Sequence, residues 1–215
     1  MPGSRYHHGN LPEAMVSEAV EVTREQGPDA VVVRELARRL GVSHNAAYRH
    51  FAHRDDLVAA VAARAHDALM ENMERELAQV PGSDPVLRAR RRLATLGRAY
   101  VAFALAEPGL FRIAFAPQAV GRGMIPSSGP YHLLAQALDE LVDVGFLAAA
   151  ARSGAEITCW SAVHGFSALT IEGPLTALDS AERATAVDQV LVAIDRSYAA
   201  TTGSASDPAD ILVAR

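Results

Sequence analysis

The chain has 215 residues, half of them apolar, and a net charge of −5. That length holds one large domain or a small module joined to a larger one, and the composition excludes collagen-like and disordered chains. Its acidic balance argues against a polyanion partner except at the amino end, where residues 1–54 carry seven arginines against six acidic side chains, while the remainder carries thirteen against nineteen.

Five of the eight histidines also fall in residues 1–54, and every basic side chain is arginine. Cys159 stands alone, so an internal disulfide is excluded, and no basic-then-apolar leader precedes the first polar stretch. The longest apolar runs, such as LVAAVAA at 57–63, stop at arginine well short of a bilayer span. The expectation is a cytoplasmic protein with no membrane partner.

Residues 1–9 lack periodicity and read as a flexible arm. Asn10 and Glu13 stand at the spacing of a reciprocal helix cap, and Leu11, Met15, Ala19 and Val22 recur at helical spacing up to Gln26-Gly27. After PDAVV, the stretch 33–41 (VRELARRLG) places Leu36, Ala37 and Leu40 on one face and ends at Gly41; its cap position holds Val32, about 1 kcal/mol poorer than Ser or Thr. Ser43 is suited to cap a third helix of about two turns starting at His44. Asp55 and Asp56 favour the start of a fourth, in which Leu57, Val61, Ala65, Leu69, Met73 and Leu77 repeat every four residues.

PGSDP at 81–85 reads as a turn, and further helical patterns follow at roughly 86–106, 109–115, 131–150, 154–172 and 180–200, with a Gly/Pro/Ser loop over 118–130. No strand-like alternation and no repeat are present. The expected fold is all-α: an arm (1–9), a three-helix helix-turn-helix module (10–54), a larger helical effector-binding and dimerisation domain (55–200) and a mobile tail (201–215).

Two short helices joined by a glycine turn, the second polar on one face, make a helix-turn-helix pattern whose second helix enters the major groove amino end first. His44 and Asn45 then lie nearest base edges, and Asn45 is able to pair bidentately with adenine. Ser43, Tyr48, Arg49 and His50, with Arg34 and Arg54, are suited to phosphate oxygens. The competing reading of the same residues is a solvated helix face.

YHHGNLPEAM followed by VRELARRLGVSHNAAYRHFAHRDDL, within residues 6–60, resembles the amino-terminal module of the tetracycline-repressor (TetR) family of bacterial transcription regulators. The resemblance aligns Gly41 with the family's turn glycine, Tyr48 with its phosphate-contacting tyrosine and Phe51 with its aromatic after the Arg-His pair. Arg54 stands where the family usually has Lys, His53 where a capping Ser or Asn is common, and Val32 where Ser or Thr is common. More loosely, EPGLFRIAFAP (107–117) and WSAVHGFSALTIEG (160–173) look like the TetR subclass named for its Trp, His and Gly, here Trp160, His164 and Gly165. The resemblance implies a double-stranded DNA operator, a homodimer joined through a four-helix interface and a small-molecule effector. Two copies about 34 Å apart would read a palindrome.

For Trp160 and His164, four apart on one helix face, three readings stay open: a core Trp with a hydrogen-bonded His, a pocket wall, or catalysis by Ser161 with His164. No acidic orienter has suitable spacing for the last, so no catalytic residue is assigned. Met70, Met73, Tyr100, Phe103, Phe111 and Phe115 are the other candidate walls of an apolar effector pocket. Ala168, Leu169, Leu175, Val187, Leu191 and Ile194 are candidates for self-association. The His pairs at 7–8 and 50–53 lack partners in a metal-binding pattern, so no metal or cofactor is expected. The expected function is a repressor released from its operator by a small, largely apolar effector. A helical binding protein or enzyme without operator binding, and a ligand-independent or activating regulator, are the alternatives.

Overall fold

The computed structural model describes residues 10–116, 129–202 and 207–212; the expected arm over 1–9 and most of the expected 118–130 loop lie outside them. Among the described residues there are nine α-helices and no strand: α1 (Leu11–Gln26), α2 (Val33–Arg39), α3 (His44–Tyr48), α4 (Arg54–Leu77), α5 (Pro85–Ala106), α6 (Pro108–Ala114), α7 (Pro130–Asp143), α8 (Ala155–Glu172) and α9 (Ser180–Thr202). None is long and apolar enough to cross a membrane. The helices form two compact units, one of residues up to Asp67 with the segment starting at Glu107, the other of Ala68–Ala106 with the described residues from 129 onward. The partition therefore falls inside α4, beyond residue 54, and puts α6 with the amino-terminal helices.

In the first unit α1 starts after Asn10, but the expected reciprocal cap is not formed. The Asn10 side chain makes no capping bond, and Glu13 is drawn instead to Arg64 on α4. Pro12, near the helix start, has no N–H needing a cap. The end of α2 is set by Gly41, whose φ of 67° lets its N–H reach Arg38 O at 3.2 Å while Val42 N–H reaches back to Ala37 O at 3.0 Å. This pair of bonds is a Schellman stop, and it turns the chain abruptly into α3. Ser43 caps α3, accepting from Ala46 N–H at 3.2 Å. At the start of α4 the capping role that His53 does not fill is taken by Asp56, whose Oδ2 accepts from His53 N–H at 3.0 Å. Met15, Ala19, Leu36, Ala37, Ala47 and Leu57 close the core beneath α2 and α3.

α6 lies on α1 with almost no clearance: a Cβ on Gly109 would stand 2.1 Å from Thr23 O. The Arg24 guanidinium fastens the same contact from outside, 3.0 Å from Glu107.

In the second unit α5 packs on α7, α8 and α9. Gly97 makes close approach to α9 possible, since a Cβ there would be 2.5 Å from Leu191 Cδ2. The helix expected over 131–150 ends earlier, at Asp143. Gly145, with φ of 74°, allows a second Schellman stop: Gly145 N–H bonds Val142 O and Phe146 N–H bonds Leu141 O, both at 2.9 Å. Residues 207–212, expected within a mobile tail, are docked instead. Ile211 is buried, Arg90 donates to Asp207 O at 2.9 Å and Arg91 to Asp210 O at 3.1 Å. Arg90 is itself buried in a two-bond pair with Asp195, at 3.0 and 2.7 Å.

Candidate DNA interface and effector site

The exposed side of α2 and α3 collects polar groups that the fold does not use. His44, Asn45, Tyr48, Arg49 and His50 are all exposed, and their side chains have no hydrogen-bond or ion-pair partner among the described residues. Ala47, buried on the opposite side of α3, and Phe51 after it hold the helix down. Arg34 is likewise exposed and unpartnered on α2. Ser43 is engaged by its own helix start, so its hydroxyl fixes α3 rather than standing free.

Arg54 is placed differently from the phosphate clamp expected of it. Its guanidinium donates to Val31 O at 2.9 Å and to Pro28 O at 2.8 Å, two carbonyls of the α1–α2 connector, the second of which also accepts from Val31 N–H at 3.3 Å. The residue ties the start of α4 to the start of α2 and positions the interface from behind. Arg38 and Arg39 are also engaged, with Glu35 at 2.6 Å and Glu18 at 3.2 Å.

In the second unit the structure brings together three of the expected effector residues. Trp160 Nε1–H donates to Tyr100 Oη at 3.1 Å, and Tyr100 Oη lies 2.8 Å from His164 Nδ1. Indole only donates, so the Tyr100 oxygen accepts from it, while the direction of the Tyr100–His164 bond follows the imidazole tautomer. Burial holds the His164 imidazole below its ordinary value, favouring the neutral form. The Tyr100 phenol is raised, burial outweighing the stabilising indole N–H.

Tyr131, on α7, meets the Trp160 ring edge-on at 5.7 Å between centroids. Sequence reasoning missed it, because nothing in local spacing links it to α8. Cys159 and Tyr198 form another unforeseen pair, Sγ to Oη at 3.1 Å, and burial pushes the thiol up to about 11.

The remaining expected pocket residues separate. Met73 and Phe103 are buried and Met70 half-buried in the second unit. Phe111 and Phe115 belong to the first, where Phe115 stacks edge-on against His66 at 5.4 Å. An open groove of about 380 Å³ lies between α4 and α5, lined by Asn72, Glu76, Thr95, Arg98 and Ala99 among others, and by none of the expected effector residues.

The self-association set divides as well. Ala168 and Leu169 are exposed and Leu175 is half-buried, but Val187, Leu191 and Ile194 are buried inside the unit. That placement corrects the expectation for these three: α9 turns them onto its own neighbours, as the close approach of Leu191 to Gly97 demonstrates.

Residues 16–61 match the family model described as bacterial regulatory proteins, tetR family, and residues 93–210 match the tetracyclin repressor-like C-terminal domain. A search of curated proteins found no match. Among solved structures, a protein of unknown function from Rhodococcus sp. RHA1 is 25% identical over 93% of this chain and 99% of its own, with a TM-score of 0.68. A variant of TetR from Acinetobacter baumannii AYE in complex with minocycline is 18% identical over 91% and 96%, with a TM-score of 0.61. RolR in complex with resorcinol is 17% identical over 92% and 90%, with a TM-score of 0.59. The second match spans more than half of the 215 residues and the first coincides with the helix-turn-helix, so the chain belongs to the tetR family of bacterial transcription regulators, with a DNA-binding helix-turn-helix module followed by a helical carboxyl-terminal domain.

Proposed function

We propose that the chain works as a homodimeric repressor, released from a palindromic operator by a small, largely apolar effector. The observation that carries the reading is the outer face of α3 and the two residues after it, where five polar side chains have no hydrogen-bond or ion-pair partner among the described residues while Ala47 and Phe51 anchor the helix beneath them. Groups already solvated exchange water for base edges and phosphates without breaking internal bonds. His44 and Asn45 are assigned to base edges; Tyr48, Arg49, His50 and Arg34 are assigned to phosphates.

The effector is assigned to the second unit, around Trp160, His164 and Tyr100, with Tyr131 added to the set and the Trp-His-Gly subclass as its type. A hydrogen-bonded chain between aromatic rings offers both an apolar wall and fixed polar groups. The minocycline and resorcinol complexes of similarly folded proteins support a small-molecule effector. Release follows if the ligand prefers the conformation with the wrong half-site spacing, to the extent of its differential affinity for the two states. Self-association is assigned to the outer sides of α8 and α9, and α8 carries the support: Ile157 and Leu169 are exposed at 47% and 46%, and a Cβ on Gly165 would meet nothing within 4 Å among the described residues.

Fluorescence anisotropy with duplex DNA from upstream of the chain's own coding region tests the reading. Binding that falls on Arg49→Ala, with a salt slope lower by about 1 per subunit, and that loses sequence preference on Asn45→Ala, is expected. Absence of binding at any salt concentration sinks it.

A further inference from the structure

Arg34 and Arg38 lie one turn apart on the same face of α2, yet they stand in different electrostatic states. Arg34 has no partner among the described residues. Arg38 is held at both ends of a carboxylate, Nε to Glu35 Oε2 at 2.9 Å and Nη2 to Glu35 Oε1 at 2.6 Å. Its side chain is nevertheless 71% exposed, so the pairing is not forced by burial. Arg39 Nε approaches the same carboxylate at 3.6 Å, but its other bond, to Glu18, ties α2 to α1.

We infer that Glu35 acts as an electrostatic gate on the DNA-facing side of α2: by neutralising Arg38 it keeps that guanidinium out of the phosphate-contacting set and suppresses sequence-independent DNA binding. The inference rests on the reading of the α2–α3 face as the DNA surface. Sequence-independent affinity comes from phosphate neutralisation, whereas discrimination comes from base contacts on α3. A carboxylate that removes one cation per subunit therefore lowers the background more than it lowers recognition, and raises the ratio between them. Arg38 holds the Glu35 carboxyl below the usual carboxylate range, so its charge persists at neutral pH.

The full-length protein, titrated against a labelled mixed-sequence duplex over a series of salt concentrations, provides the test. Glu35→Gln is expected to steepen the slope of log K against log salt by about 2 per dimer and to raise mixed-sequence affinity on the order of tenfold at low salt. Adding Arg38→Ala to that variant is expected to restore the original slope. Arg38→Ala alone is expected to leave it unchanged, whereas Arg34→Ala lowers it by about 1 per subunit.

An unchanged slope in Glu35→Gln, with helical content retained, overturns the gate. So does a gain that survives Arg38→Ala, since general repulsion by the carboxylate would then be its source. Should Glu35→Gln fail to fold, the single Arg38→Ala variant decides: a lowered slope means Arg38 already contacts phosphate and the gate is absent. If the unaltered protein shows no binding at low salt, the DNA-surface reading falls together with the gate, an outcome distinct from failure of the gate alone.

Discussion

The two compact units treat their polar side chains in opposite ways. On α3 of the first unit and just after it, His44, Asn45, Tyr48, Arg49 and His50 stand in solvent with no hydrogen-bond or ion-pair partner among the described residues. In the second, buried Arg90 and Asp195 bond each other, and buried Tyr100 and Cys159 bond His164 and Tyr198, across α5, α8 and α9. The difference teaches where substitution should report on recognition and where on stability. An exposed unpartnered group contributes little to folding, while a buried bonded one leaves an unsatisfied partner when removed.

The largest contrast is expected from Asp195→Ala set beside Arg49→Ala. Removing the carboxylate strands the Arg90 guanidinium, whose side chain is 2% exposed, at a cost of about 3–5 kcal/mol, or roughly 10 °C in melting temperature. Arg49→Ala should stay within about 0.5 kcal/mol of the parent in the same urea titration. A small effect of Asp195→Ala would mean that the docked Asp207 carbonyl is enough to hold Arg90. Next comes Gly109→Ala. Its Cβ would meet backbone at 2.1 Å, so α6 must shift away from α1, destabilising the first unit by about 1–3 kcal/mol. Gly97→Ala meets side chains rather than backbone, the end of Leu191 at 2.5 Å and Val163 Cγ1 at 3.3 Å, and should cost less because Leu191 is able to rotate.

The amino-terminal helices were legible because local signals coincide there: apolar spacing, a turn glycine at Gly41 and a capping serine at Ser43 each point to the same boundaries. What failed was mostly long-range. Asn10 and Glu13 have the spacing of a reciprocal cap, but Arg64, 51 residues further on, competes for Glu13. Arg54 has the chemistry of a phosphate clamp, yet the Pro28 and Val31 carbonyls lie within its reach. Val187, Leu191 and Ile194 share one helix face, and periodicity identifies a face without naming what covers it. The Ala-rich run after Gly145 prolonged the helical pattern past a backbone position that stops it. The Trp160–His164 spacing was readable, but Tyr100 and Tyr131 join them only through tertiary packing.

A smaller effect distinguishes the aromatic chain of the second unit. Tyr100→Phe removes the acceptor for Trp160 Nε1–H and the hydrogen-bond partner of His164 Nδ1, with an expected cost of about 1–3 kcal/mol. The pH dependence has a definite sign. Burial depresses both His164 and His66 below the ordinary 6.5, so the unfolded chain binds more protons, and stability is lost as pH falls from about 6.5 through the folded values. His164→Gln should remove one part of that loss and His66→Gln the other. Unaltered pH dependence of the urea midpoint in both variants would show that neither ring carries it.

The smallest expected effects compare two helix starts within the first unit. Ser43 caps α3 through Ala46 N–H, whereas Val32 stands at the start of α2 with no capping side chain and is 46% exposed. Ser43→Ala should cost about 1 kcal/mol, and Val32→Thr should gain up to about 1 kcal/mol because little apolar burial is given up. Thermal melts should therefore move in opposite directions by a few degrees. The DNA readout should not follow the same order, since α3 has only five residues and one lost cap frees the amino end that carries His44 and Asn45. A Ser43→Ala variant that keeps operator affinity despite a lowered melting temperature would show that DNA itself orders the start of α3.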